Sequence, residues 1–338
     1  MKKNNIDLKP NEISSDTKAS MRTRIISALV ALIIVVPLFL FGDWLFLALI
    51  LFIGAVAFWE VIHCGKKAAS FLLYFVTITI GILMINWPLI QGLISSSGQG
   101  HAYDYFTNMN LSLLIIFFGV SLLFLVIILH QSFTVRDGCY IITMVIIISI
   151  GLQALLFTRF FPSYLNQDPD RNWINNFDNL ESCSFAMYGI LATFATDIGA
   201  YFIGVFFGKH KINERISPKK TYEGFFGGII ISALVTMAFA FILSACGHSI
   251  LPGIYDLEHW YNIVFMSLLM PLLATLGDFV FSSVKRYYEI KDFGNLLPGH
   301  GGALDRIDSI TFVFAGLAIY TLLFYGLTGM GGHTGLFV

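Results

Sequence analysis

Charge is scarce in this chain. Asp, Glu, Lys and Arg make up 12% of its residues, against about a quarter in an ordinary soluble domain. Mean hydropathy is +0.77 and 57% of the residues are hydrophobic, which excludes a water-soluble globule and leaves a polytopic membrane protein. In lipid, backbone polar groups must be satisfied within the chain, so the choice is helices or a closed barrel. The alternation of apolar and polar residues that barrel strands need is missing. The apolar runs are continuous over about 20 residues, the length of a spanning helix.

Other absences narrow the reading further. The four cysteines, Cys64, Cys139, Cys183 and Cys246, include no CxxC pair, so neither a disulfide framework nor a zinc site is expected. Net charge is −1, which offers nothing to a polyelectrolyte such as nucleic acid. The first twenty residues lack an apolar stretch of signal-peptide type and read as a mobile tail. No internal repeat or low-complexity tract is visible.

What the chain does contain is nine apolar spans, near 25–42, 44–62, 69–90, 111–129, 139–158, 184–207, 225–246, 260–284 and 309–328. The expected fold is therefore all-α, a polytopic bundle of about nine transmembrane helices with a cytoplasmic N-terminus. Its parts are a polar tail (1–24), about five N-terminal spans (25–180) and about four C-terminal spans (181–330), followed by a short tail (331–338). The C-terminal spans carry cytoplasmic loops at 208–224 and 285–308. Orientation follows from Lys and Arg, which collect on the cytoplasmic side. With the N-terminus inside, eighteen of the twenty fall in inner segments, and only Arg159 and Arg171 lie outside.

Two spans carry an acid, a costly placement that marks a cavity, a partner or an ion. Asp197 and Asp278 lie about 16 Å and about 12 Å in from the cytoplasmic ends of their helices. Asp197, Tyr201, Gly204 and Gly208 share one helical stripe, and Asp278, Ser282 and Lys285 share another. The plainer alternative pairs each carboxylate with a neighbouring hydroxyl or lysine. Gly204 with Gly208, and Gly224 with Gly228, form GxxxG pairs that suit close helix packing. "GVFFGKH" at 204–210 imitates a P-loop but is one residue short between its glycines and has His210 after the lysine.

The densest charge lies in "KRYYEIKDFGNLLPGHGGALDRID" (285–308), with eight of the chain's 41 charged residues. Lys285, Arg286 and Lys291 supply cationic donors, and Gly301 and Gly302 leave backbone N–H groups open to an anion. Asp305, Arg306 and Asp308 follow at the start of the ninth span, whose N-terminus would favour phosphate. Carboxylates suit Mg²⁺, which keeps waters and substrate phosphates as its other ligands. Lys and Arg suit the remaining phosphate charge. Together these suit phosphoryl or nucleotidyl transfer. Plainer roles remain open: Asp305 or Asp308 as helix caps, and Lys285 and Arg286 as headgroup anchors.

The stretch "SVKRYYEIKDFGNLLPGHGGALDRID" (283–308) resembles the signature of phosphatidate cytidylyltransferases, also called CDP-diacylglycerol synthases. The matching positions are Ser283, Lys285, Arg286, Lys291, Asp292, Pro298, Gly299, His300, Gly301, Gly302, Asp305, Arg306 and Asp308. "DIGAYFIGVFFGKHKINERISPKKTYEGFFGG" (197–228) resembles the segment that precedes it in that family. The likeness covers roughly the C-terminal 150 residues; the first 180 or so agree only as hydrophobic spans. It implies transfer of a cytidylyl group from CTP to phosphatidate, giving CDP-diacylglycerol and pyrophosphate, with Mg²⁺ and a monovalent cation such as K⁺. Asp278 and Asp305 are then the leading metal ligands, and Lys291, His300, Arg306 and Asp308 complete the catalytic set. His300 would orient a phosphate or assist the leaving group. Ser217, Lys219, Lys220, Thr221, Ser283, Lys285, Arg286, Gly301, Gly302 and Asp197 would line the substrates. The resemblance implies the plasma membrane of a bacterium, with the site facing the cytoplasm; a homodimer is compatible with it. Two alternatives stay open: the same chemistry on another lipid phosphate, and a cation- or proton-coupled transporter.

Overall fold

The fold is described from a computed structural model. It describes residues 15–41, 43–88, 90, 116–165, 180–213, 215–296, 299 and 301–327. Nine helices of membrane-protein character run through these residues: α1 (Ser15–Phe41), α2 (Asp43–Cys64), α3 (Phe71–Ile85), α4 (Ile116–Leu129) and α5 (Val135–Leu165), then α6 (Leu180–Phe207), α7 (Tyr222–Ala245), α8 (Trp260–Tyr287) and α9 (Leu304–Leu327). Six of them, α2 and α5 to α9, are long and apolar enough to cross a membrane; α3, α4 and the Ile26–Leu40 stretch of α1 are shorter apolar helices. The chain is a polytopic helical membrane protein. Exposed Phe194, Ile198, Phe202 and Val205 on α6, and Leu268, Leu272 and Leu276 on α8, give it the apolar outside that lipid requires.

Several helices run further than the apolar runs that announce them. α1 begins at Ser15, inside the segment read as a polar tail. α5 extends past the expected end of the fifth span, so Arg159 is not a loop residue. It lies buried in α5, and its guanidinium donates to the carbonyls of Phe39 and Leu40 at the end of α1. α9 starts at Leu304 rather than at 309, which puts Asp305 and Asp308 in its first turns.

Two buried clusters hold the bundle. One joins α2, α3, α4 and α5 to the C-terminal end of α8 and the N-terminal half of α9 around Phe58, Ile148, Phe281 and Phe314. The other fills the opposite end around Tyr188, Tyr255, Met266 and Leu317. Among all helix pairs α6 and α7 make the most intimate contact. A Cβ on Gly224 would lie 2.8 Å from the Ala200 carbonyl, and one on Gly228 would lie 2.9 Å from that of Thr196. The GxxxG pairs are thus a packing seam.

The basic loop between α6 and α7 is not irregular. Lys211–Asn213 (β1) and Ser217–Thr221 (β2) pair antiparallel, with Lys211 opposite Thr221 and Asn213 opposite Ser217. Asn213 Oδ1 accepts the N–H groups of Arg215 and Ile216 and so closes the turn. Thr221 Oγ accepts the Gly224 N–H at 3.1 Å and caps α7, while Glu223 accepts the N–H groups of Lys209 and His210. The hairpin is therefore fixed to the helix that follows it.

Candidate active site

The site forms where α8 and α9 cross. A Cβ on Gly277 would lie 2.5 Å from the Asp308 carbonyl oxygen, so only glycine lets the two main chains meet there. That contact sets Asp278 of α8 beside the start of α9. One turn along α8, Ser282 Oγ donates to Asp278 Oδ1 at 3.0 Å. One further turn brings Lys285, whose ammonium lies 2.9 Å from Asp305 Oδ1. The other oxygen of Asp305 accepts two backbone N–H groups, Phe293 and Gly302, each at 2.9 Å. From the hairpin, Lys220 forms an ion pair with Asp278 Oδ2. It also lies 4.4 Å from the ring centre of Phe279.

Asp278 and Asp305 thus share a pattern. Each has one oxygen fixed by short-range hydrogen bonds and turns the other to a lysine ammonium. The lysine marks where a positive charge is accommodated. Asp197 of α6 and Asp308 lie within electrostatic reach of Asp278. Asp308 is also close enough to feel Lys285, and Asp197 to feel Lys220 and Arg306.

The other residues singled out from the sequence divide into groups. Arg286 donates from Nε to the Ile216 carbonyl at 3.1 Å and from a terminal nitrogen to that of Ile290 at 3.2 Å, clamping the hairpin to the 285–296 loop. Lys219, Lys291 and Arg306 are exposed at the same end, with Ser217 half-buried nearby in β2. Thr221 is buried and serves as a cap. Ser283 turns away: its hydroxyl donates to the Val280 carbonyl, and it lines a separate cavity of about 290 Å³ with Arg136, Tyr140 and Tyr287. The serine facing Asp278 is its neighbour Ser282, because residues four apart share a helix face and residues five apart do not. Gly301, at φ +88°, and Gly302 are buried; the Gly302 N–H goes to Asp305 rather than to open solvent. Pro298 and His300 lie outside the described residues.

One residue escapes the sequence reading altogether. Glu60 of α2 is 1% exposed. Its two oxygens accept the N–H groups of Ala303 and Leu304, each at 2.9 Å. These are the amide just before α9 and the first amide within it, so the helix start expected to attract phosphate already holds a carboxylate. The signal was present as a lone acid in the apolar run "FWEVIHC" (58–64), of the same kind as Asp197 and Asp278.

An all-oxygen donor set suits a hard divalent cation. Among the described residues no three His, Cys, Asp or Glu side chains are drawn close enough to enclose an ion.

The sequence profile of the cytidylyltransferase family matches residues 22–324. The chain belongs to that family. It is 31% identical to the phosphatidate cytidylyltransferase of Bacillus subtilis (strain 168) over 305 residues, which is 90% of this chain and 98% of the relative. It is 28% identical to that of Staphylococcus aureus (strain COL) and 29% to that of Staphylococcus haemolyticus (strain JCSC1435), each over 87% of this chain and 96% of the relative. The cytidylyltransferase match begins in α1 and ends in α9, so it includes the N-terminal helices whose sequence suggested only hydrophobic spans. Glu60 and both lysine–aspartate pairs lie within it.

Proposed function

We infer that this protein transfers a cytidylyl group from CTP to phosphatidate, releasing pyrophosphate and leaving CDP-diacylglycerol in the membrane. The observation that carries the reading is the meeting, at one end of a membrane bundle, of Asp278 and Asp305 with Lys220 and Lys285 drawn from separate segments.

A phosphate oxygen of phosphatidate forms a bond to the α-phosphorus of CTP. The bond between the α-phosphorus and the α,β-bridging oxygen breaks, and pyrophosphate leaves with that oxygen and the electron pair. The nucleophile is already an anion, so no strong base is required. Positioning and charge neutralisation are the main demands on the protein. Lys220 and Lys285 meet them by exchanging their carboxylate partners for substrate phosphates. Lys219, Lys291 and Arg306, exposed on the same end, receive the triphosphate from water. Arg286 holds the hairpin and the signature loop at a fixed separation while both bear on it.

Asp278 and Asp305 are the residues that would hold Mg²⁺, each through the oxygen now turned to lysine; bound there, the ion would neutralise charge developing on the triphosphate. Asp308 and Asp197 keep the surroundings negative enough to favour it. The site faces the cytoplasm, on the inner leaflet of a bacterial plasma membrane. Supporting this, Lys67, Arg136, the hairpin lysines and the signature cations gather at one end of the bundle, and Arg159 lies toward the other end of α5.

Purified protein in phosphatidate-containing micelles, given CTP labelled in the cytosine ring and Mg²⁺, is expected to yield a labelled CDP-lipid and equimolar pyrophosphate. A chelator should stop the reaction and added Mg²⁺ restore it. Unlabelled lipid under all conditions, with cation flux across reconstituted vesicles, would overturn the assignment.

A further inference from the structure

The carboxylate of Glu60 belongs to no step of the reaction, yet it lies against the segment that carries the signature. Its surroundings are shaped for it. A Cβ on Gly294 would come 2.3 Å from its Oε1, and a Cβ on Gly302 would come 2.4 Å from the same atom. Two glycines eight positions apart in the signature loop therefore close over one side chain from a helix more than two hundred positions earlier in the chain. Its oxygens take the Ala303 and Leu304 amides, while Asp305 takes those of Phe293 and Gly302. Four backbone donors, the consecutive amides of 302–304 and that of Phe293 from earlier in the loop, are thus divided between two acids. One acid comes from α2 and one from the site itself.

We propose that Glu60 is a positioning residue for cytidylyl transfer: an anion built into the N-terminal helices that fixes the first turn of α9 and with it the directions of Asp305, Arg306 and Asp308. This rests on the transferase reading above and deepens it. The helix dipole and the free amides make this place favourable for negative charge, and Glu60 occupies it permanently. Substrate phosphate is thereby kept off the helix start and directed to Lys220, Lys285 and the exposed cations. Asp305 cannot orient alone. Its Oδ2 is held by the Gly302 amide, and Gly302 sits where it does because the Glu60 carboxylate fills the space beside it.

The test is Glu60→Gln. The shape is kept, but the amide has one acceptor oxygen for two donors and sets an NH₂ group against the second. Wild-type protein must first make CDP-lipid; if it makes none, the transferase reading fails and this one is not at issue. In the active protein, Glu60→Gln is expected to lower kcat per folded molecule by roughly 100-fold, as misplacements of about 1 Å do. The KM for CTP should change much less, because the exposed cations are untouched. The Mg²⁺ concentration giving half-maximal rate should rise, since Asp305 is turned. Hydrogen exchange should quicken at 302–305 and stay slow in the rest of α9. A kcat within twofold of wild type, or a loss accounted for wholly by unfolded protein, would overturn the proposal. Should Glu60→Gln fail to fold, Gly294→Ala presses on the same carboxylate from the loop side with α2 intact. It is expected to lower kcat in the same way, and a normal kcat there would be equally fatal.

Discussion

The Lys285–Asp305 pair predicts that stability and turnover can be separated. The two side chains are 11% and 4% exposed and 2.9 Å apart, so each neutralises a charge that lipid and protein would otherwise have to carry. In Asp305→Asn the single remaining oxygen has to stay on the Phe293 and Gly302 amides, because backbone donors cannot turn away. The new NH₂ group then faces the ammonium of Lys285, donor against donor. Stranding a buried charge in this way costs about 3–5 kcal/mol. Lys285→Met is milder. Asp305 keeps two hydrogen bonds to its charged form, and the loss is closer to about 1–3 kcal/mol, that of one charge-assisted bond. In the double variant the ammonium that the new amide would oppose is gone, so stability should return nearly to that of the wild type, as when buried pairs are replaced whole. Turnover should not return, because the residues proposed to take the phosphate and the metal are both gone. The assay is thermal retention of folded protein in detergent, read beside CDP-lipid formation per folded molecule. A double variant less stable than either single, or an Asp305→Asn protein as stable as the wild type, would refute the reasoning.

Three further outcomes are expected. Asp278→Asn should leave melting close to that of the wild type, since Asp278 and Lys220 are each about a quarter exposed, while turnover falls by about 10²–10³-fold. Gly277→Ala should drive α8 and α9 apart at the Asp308 carbonyl, costing about 1–3 kcal/mol and lowering turnover with it; an unchanged melting temperature would contradict the crossing geometry. At the opposite end, burial pushes the Asp256 carboxyl up, but the His259 N–H and ring and the Gly253 N–H together hold it below the usual aspartate range. A lowered folded-state pKa means stability that is complete above the usual aspartate value and is lost as pH falls through the folded one. His259→Ala should therefore move the acid limit of thermal stability upward, and no movement would count against the hydrogen bonds.

The parts legible in the sequence were those written in composition and in fixed short spacings. Nine continuous apolar runs became nine helices among the described residues, because a backbone in lipid has few other options. The stripe Asp278, Ser282, Lys285 could be read from helical periodicity, and so could the GxxxG seam. What the sequence could not display was which amides were already taken. The start of α9 looked open to phosphate because its partner, Glu60, lies far away in the chain, and no local pattern links the two. The same limit hid the division of the two serines. Ser282 and Ser283 are neighbours in sequence, yet one faces Asp278 and the other a different cavity. The hairpin at 211–221 was missed because lysine and proline there conceal the strand pairing that Asn213 organises. Helix ends were misjudged wherever polar residues continue a helix past its apolar part, as at Ser15 and at Leu304.

The glycine seam between α6 and α7 has a mechanical implication. Where two main chains come within van der Waals contact along successive turns, little between them is left to rearrange, and the pair travels as one stiff plank. The hairpin hangs from its end and carries Lys220 with it. Admission of a two-tailed lipid to Asp278 then comes from sliding or parting where α8 meets α6 and α7, leaving the distance from Asp197 to the start of α7 unaltered through the cycle.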